Sequence, residues 1–215
     1  MQEPSLRFSS IPPATEDYRG RLIEGMGLAM VEKAYADVTI ADVVKHSRVS
    51  KRTFYEHFPD KEACFLATYQ SLIDELLLRV AEAAAARGVD EAVSASVTAY
   101  FGALQERAHL IRPFFTDVQS VGPAALKMRR EAHERFADLI RAAVEAITGE
   151  TENARAISRL MSVALVGGIN ELVLLSIEEG STHAITRLGP TAIEFLRSVI
   201  NSAQEPVVAT QATEP

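Results

Sequence analysis

The spacing of helix breakers constrains this chain most. Glycine and proline stand mostly at the joints between long runs rich in Ala, Leu, Glu and Arg, and the summed preference of such runs is for helix. No run shows the period-two alternation of a half-buried strand. Val38, Thr39, Ile40, Val43 and Val44 are β-branched, but Thr39 followed three residues later by Asp42 has the form of a capping box. Helix therefore outranks strand there, and the expected fold class is all-α.

Apolar residues three and four apart predict a first helix over residues 16–35, with Leu22, Met26, Ala29, Met30 and the stem of Lys33 on one face. A second is expected over 39–46, with Ile40, Val43 and Val44 together. After Ser47, Arg48 and Val49, the Ser50 hydroxyl can cap a third helix that ends near His57. Pro59 breaks the chain and Asp60 caps a long fourth helix to about residue 86. Further helices are expected over 90–107, 109–115, 123–148 and 153–179. A last segment over 183–203 should kink or restart at Gly189-Pro190.

These elements divide into a small domain, 16–60, and a larger one, 61–204. Residues 1–15 hold Pro4, Pro12 and Pro13 without an apolar run, and read as a disordered arm, not a signal peptide or anchor. Residues 205–215 read as a disordered tail. Across 215 residues, 47% hydrophobic content suffices for a core without metals or disulfides. The single cysteine, Cys64, excludes an intrachain disulfide and reads as a small buried hydrophobe. The longest apolar stretch, 160–177, is interrupted by Asn170 and Glu171 and contains Gly167 and Gly168, which suits a core helix better than a membrane span. A soluble, cytoplasmic protein with no membrane partner is the expectation.

A net charge of -7 argues against a wholesale nucleic-acid coat, so local charge must decide. From Lys45 to His57 the chain carries Lys45, Arg48, Lys51 and Arg52 against the single acid Glu56. Two short helices joined by a tight turn, the second basic and hydroxyl-rich, meet the dimensions of the DNA major groove. Lys51, Arg52 and Thr53 fall in the first turn of that second helix, where side chains reach base edges. Tyr55 and His57 add neutral donors for backbone oxygens. The alternative is a solvated basic face, with Tyr55 and His57 packed or capped.

The run from Thr39-Ile40-Ala41-Asp42-Val43 through Val49-Ser50-Lys51-Arg52-Thr53-Phe54-Tyr55-Glu56-His57-Phe58-Pro59-Asp60-Lys61-Glu62 resembles the N-terminal DNA-binding signature of tetracycline-repressor-type (TetR-family) regulators. The likeness covers roughly residues 18–66 and rests on several fixed spacings. It implies that Thr39, Tyr55, His57 and Lys61 hold phosphates, that Lys51, Arg52 and Thr53 face bases, and that Phe54 and Phe58 are core. Ser50 and the added charge of Arg48 complete the expected DNA face. Ala34 and Arg48 stand where the family commonly has glycine, so Arg48 must avoid a left-handed backbone or bear a modest cost.

The resemblance further implies that the helices after Lys61 enclose an effector pocket and pair two copies across a four-helix seam. Apolar candidates for the pocket wall are Tyr69, Leu72, Tyr100, Phe101, Leu104, Phe114, Phe115, Met128, Phe136 and Met161, although each taken singly suits plain core packing. Asn170, an amide inside an apolar run, must find a partner. A ligand, a dimer contact and a neighbouring backbone group all remain open. Gly167 and Gly168 permit close helix approach, and Ile193, Leu196, Val199 and Ile200 form an apolar stripe for the seam.

No His-Glu-x-x-His, glycine-rich phosphate loop or Gly-x-Ser-x-Gly elbow is present. Glu106 and His109 have a metal-bundle spacing without the second copy such a site needs. The expectation is a homodimeric regulator without cofactor or catalysis, binding a palindromic double-stranded operator. It would be a repressor released by an apolar small molecule, with activation left open. The rival is a helical ligand-binding or enzyme-like protein whose N-terminal motif only packs.

Overall fold

The computed structural model describes residues 17–85, 89–148 and 157–204; the expected arm (1–15) and tail (205–215) lie outside the described residues. Among the described residues every regular element is helical. Helix α1 spans Tyr18–Glu32, α2 Ile40–Ser47, α3 Lys51–His57 and α4 Lys61–Ala84. Then come α5 (Val89–Glu106), α6 (Ala108–Arg112), α7 (Val118–Val121), α8 (Pro123–Thr148), α9 (Arg159–Glu178) and α10 (Gly189–Gln204).

Local chemistry sets the joints of the N-terminal domain. The Asp17 carboxylate accepts from the Gly20 N–H at 2.7 Å and opens α1. The Thr39 hydroxyl accepts from the Asp42 N–H, and the Asp42 carboxylate accepts from the Thr39 N–H, so the anticipated capping box forms. Asp42 also accepts from Lys33 Nζ at 2.7 Å. Lys33 first, and Thr39 after it, hold the Asp42 carboxyl well below the usual carboxylate range. Ser50 caps α3 through the Thr53 N–H, and Asp60 caps α4 through the Ala63 N–H.

The expected single helix over 109–115 is instead α6, a π-helical segment at Pro113–Asp117, and α7. Pro113 has no N–H to give the α-helical ladder, and the backbone widens there. Near residue 189 the chain restarts: a 3-10 segment, Thr182–Leu188, gives way to α10. Pro190 sits in the first turn, where its missing N–H costs nothing.

One hydrophobic core runs from the N-terminal domain into the bundle, from Leu22, Met26 and Phe54 through Phe65 and Leu72 to Leu165 and Ile200. Helices α4 and α8 lie side by side in the same sense: Glu62 approaches Gly122 at one level and Asp74 pairs with Arg135 further along. Helix α5 returns against α4, its Ser96 hydroxyl donating to the Val80 carbonyl at 3.4 Å. The buried Cys64 thiol donates to the Leu22 carbonyl at 3.7 Å, and burial pushes it up to about 12. It is the inert hydrophobe expected of it.

Candidate nucleic-acid interface and ligand cavity

The third helix meets its main structural test. Lys51, Arg52 and Tyr55 are exposed, while Phe54 and Phe58 on the opposite side are buried. The Arg52 guanidinium is 90% exposed and paired only with Glu56 at 3.0 Å, an exposed pair cheap to exchange for another anion. Thr53 Oγ1 shares a 2.9 Å hydrogen bond with Ser50 Oγ, so both hydroxyls sit at the helix start. Thr39 is exposed at the start of α2, and the exposed His57 ring lies 6.5 Å from that of Tyr18.

Arg48 adopts the left-handed conformation, φ 55° and ψ 42°, the one positive φ outside glycine among the described residues. Of the two outcomes anticipated for it, the strained one obtains. Arg21, which sequence reasoning missed, offsets the strain by donating from Nε to the Ser47 carbonyl (3.1 Å) and from Nη2 to the Arg48 carbonyl (2.9 Å). These bonds satisfy the end of α2. Above the turn, Gly25 is obligatory, because a Cβ there would meet Ser47 Oγ at 2.0 Å and the Val43 carbonyl oxygen at 2.8 Å.

Lys61 faces inward as much as outward. Its ammonium donates to the carbonyls of Tyr35 (2.9 Å) and Val38 (2.8 Å) and lies 4.2 Å from the Tyr35 ring centroid. Desolvation lowers its pKa, countered in part by Asp37. The residue braces the start of α4 against the turn at Tyr35–Asp37.

A cavity of about 160 Å³ lies between α4, α5, α8, α9 and α10. Of the expected wall residues, Tyr69, Leu72, Tyr100, Phe101, Phe114, Phe115, Phe136 and Asn170 line it. Three do not. Leu104 is buried in the core, Met128 packs against the core half-buried, and Met161 is 46% exposed. The partner of Asn170 was outside the three anticipated: its Nδ2 lies 2.8 Å from His133 Nε2. Burial first, then Arg129, lowers the His133 pKa, so the imidazole is neutral near pH 7. Burial pushes Tyr69 up to about 12 and raises Tyr100 further, leaving both phenols protonated.

Two seam expectations are corrected. Leu196 and Ile200 are 7% and 4% exposed and line the cavity, so their apolar stripe is covered by their own chain. Gly168 serves packing within the chain, since a Cβ would come 2.7 Å from Phe195 Cε1. Gly167 is exposed with nothing near, and Ile193 and Val199 are half-buried. Helix α9 is long and apolar enough to cross a membrane by length and composition, yet only 28% of its apolar window is buried.

Comparison with known proteins agrees with this geometry. Residues 29–68 match the family model described as bacterial regulatory proteins, tetR family. The HTH-type transcriptional regulator EthR of Mycolicibacterium smegmatis is 28% identical over 171 residues, spanning 75% of this chain and 73% of that protein. The fold is shared with FadR from Bacillus subtilis, solved in complex with stearoyl-CoA (TM-score 0.73, 13% identity, 82% of this chain and 96% of that one). It is shared too with the fatty acid degradation regulator FadR from Bacillus halodurans (TM-score 0.75, 14% identity, 85% and 96%). A capped, outward-facing α3 inside the segment that matches tetR-family regulators, with a helical bundle behind it, is what this chain has in common with those proteins.

Proposed function

We propose that this regulator is a cytoplasmic homodimeric repressor that binds a palindromic operator and lets go when a small molecule fills the bundle cavity. The observation that carries this is one helix with two duties. The first turn of α4 holds the N-terminal domain through Lys61, and its later turns, from Tyr69 to Ala84, line the cavity. Phe114 of the cavity wall stacks on Phe65 at 5.7 Å, and Phe65 meets Tyr35 edge-on at 5.1 Å. The Asp117 carboxylate accepts from the Tyr35 N–H at 3.3 Å. A ligand that displaces Phe114 thus has a packed route to the DNA-reading head, and it shifts the equilibrium only if it prefers one arrangement.

On DNA, Lys51, Arg52 and Thr53 would read bases, with Arg52 releasing Glu56. Thr39, Tyr55 and His57 would hold phosphates, with Arg48 adding charge. Lys61, with two donors already committed, would act as a brace as well as a phosphate contact. Pairing is supported by the uncovered side of α9, where Leu160 is 75% exposed and Met161 and Leu175 are each 46% exposed, beside Gly167. A second copy docking there, with Ile193 and Val199 at the margin, would cover this surface and set two α3 helices for adjacent major grooves.

A salt-dependent gel shift tests the reading. With about four to six Lys or Arg phosphate contacts per dimer, log affinity should fall with log salt at a slope of roughly -4 to -5. Arg52→Ala should relax preference at particular base pairs, whereas Lys61→Ala should weaken all sequences alike. Binding untouched by both changes would return the N-terminal motif to a packing role.

A further inference from the structure

The cavity is chemically lopsided, and its polarity says more than that the effector is apolar. This inference rests on the cavity being the effector site. Tyr69–Ala84 of α4 and Arg129–Val144 of α8 flank it in the same direction, a run of about 22 Å at the helical rise. Tyr69, Arg129 and His133, with Asn170 bound to His133, gather toward the DNA-reading head. Toward the other end the wall is Val80, Ala84, Val93, Ile140, Ala143 and Val144. The one hydroxyl there, Ser96, already donates to a backbone carbonyl.

Charge at the polar end is one-sided. No Asp or Glu lines the cavity, and among the described residues the half-buried Arg129 has no ion-pair partner. A partly desolvated guanidinium facing an apolar space gains most from an anion brought by a ligand. Shape adds a second limit. The cavity's lining runs along about four helical turns of α4 and α8, an elongated wall that suits a single chain and not fused rings.

We infer that the effector is a single-chain aliphatic carboxylate, its carboxylate at Arg129 beside Tyr69 and His133 and its methylene chain threaded between α4 and α8 toward Val144. The neutral Tyr69 phenol can donate to the same head, and the apolar end rewards each added methylene until the slot is full.

Isothermal titration of the full-length protein with decanoate, decanol, decyltrimethylammonium and cholate tests this, with circular dichroism checking the fold of each variant. Decanoate should bind at least about tenfold tighter than decanol, the scale of one charge-assisted hydrogen bond. Decyltrimethylammonium and cholate should not bind. Arg129→Gln should bring decanoate and decanol within about threefold of each other while leaving decanol unchanged. Ala143→Phe, about 21 Å beyond Arg129 at the helical rise, should shorten the longest chain accepted without altering the preference for carboxylate over alcohol. Equal binding of decanoate and decanol, an Arg129→Gln variant that keeps the full preference, or tighter binding of cholate would overturn the inference. Decanoyl-CoA binding tighter than decanoate would do so as well, by placing a thioester at the head. DNA retention on a salt gradient, run without ligand, is separate: its loss defeats the regulatory reading, whereas the titration reports only on ligand class.

Discussion

At Gly25 the crossing of α1 and α2 leaves no room for even a methyl group, since the clashing atoms include the Val43 carbonyl oxygen and the Ser47 backbone nitrogen, at 2.8 and 2.9 Å. Gly25→Ala should destabilise the protein by about 2 kcal/mol or more despite the better helix propensity of alanine, measured by urea denaturation. His133 makes a pH-dependent contribution whose sign follows from its lowered pKa. In the folded state the ring resists protonation, so between its folded value and the ordinary value of about 6.5 the unfolded chain binds more protons. Stability is therefore complete above about pH 6.5 and declines as pH falls below it. His133→Gln should flatten this part of the melting-temperature profile between pH 7.5 and 5.5; an unchanged profile would assign the dependence to other histidines. The cap residues were legible in sequence because Thr39, Ser50 and Asp60 each act within three residues. The Asn170–His133 pair spans 37 residues, and no local pattern announces such a contact.

Among elements, α4 reaches from the turn at Tyr35–Val38 to the cavity wall. Lys61→Met should cost about 1–2 kcal/mol by orphaning the Tyr35 and Val38 carbonyls. Differential hydrogen exchange should place the loss in residues 34–40; a loss spread evenly over the bundle would contradict the bracing role. Helix α8 was legible from its start because Gly122-Pro123 marks it and its face repeats cleanly. The π-helical segment was not, since Pro113 announces a disturbance but not whether the chain bends, stops or widens. Helix α10 shows a further limit. Its apolar stripe showed that Leu196 and Ile200 meet something apolar, but periodicity carries no mark of whether the cover comes from the same chain or another.

For the whole molecule, the all-α architecture and the outward-facing α3 were both readable in advance, because they rest on helix propensity and on closely spaced motif residues. The cavity was readable only in part. Its aromatic walls stood out by residue type, whereas Arg129 and His133 look like ordinary surface residues until α8 is laid against α4. Helix α10 presents Leu196 and Ile200 to the cavity, while Ile193 and Val199 remain only half-covered on its other flank. If a second copy docks on that flank, self-association and occupancy are thermodynamically linked, and the linkage must run both ways. Sedimentation velocity at a series of dilutions should show the apparent association constant shifting when ligand is added, and ligand affinity should drift with protein concentration in the same sense. In a cell that dilutes its regulators as it grows, abundance would itself become an input to the switch.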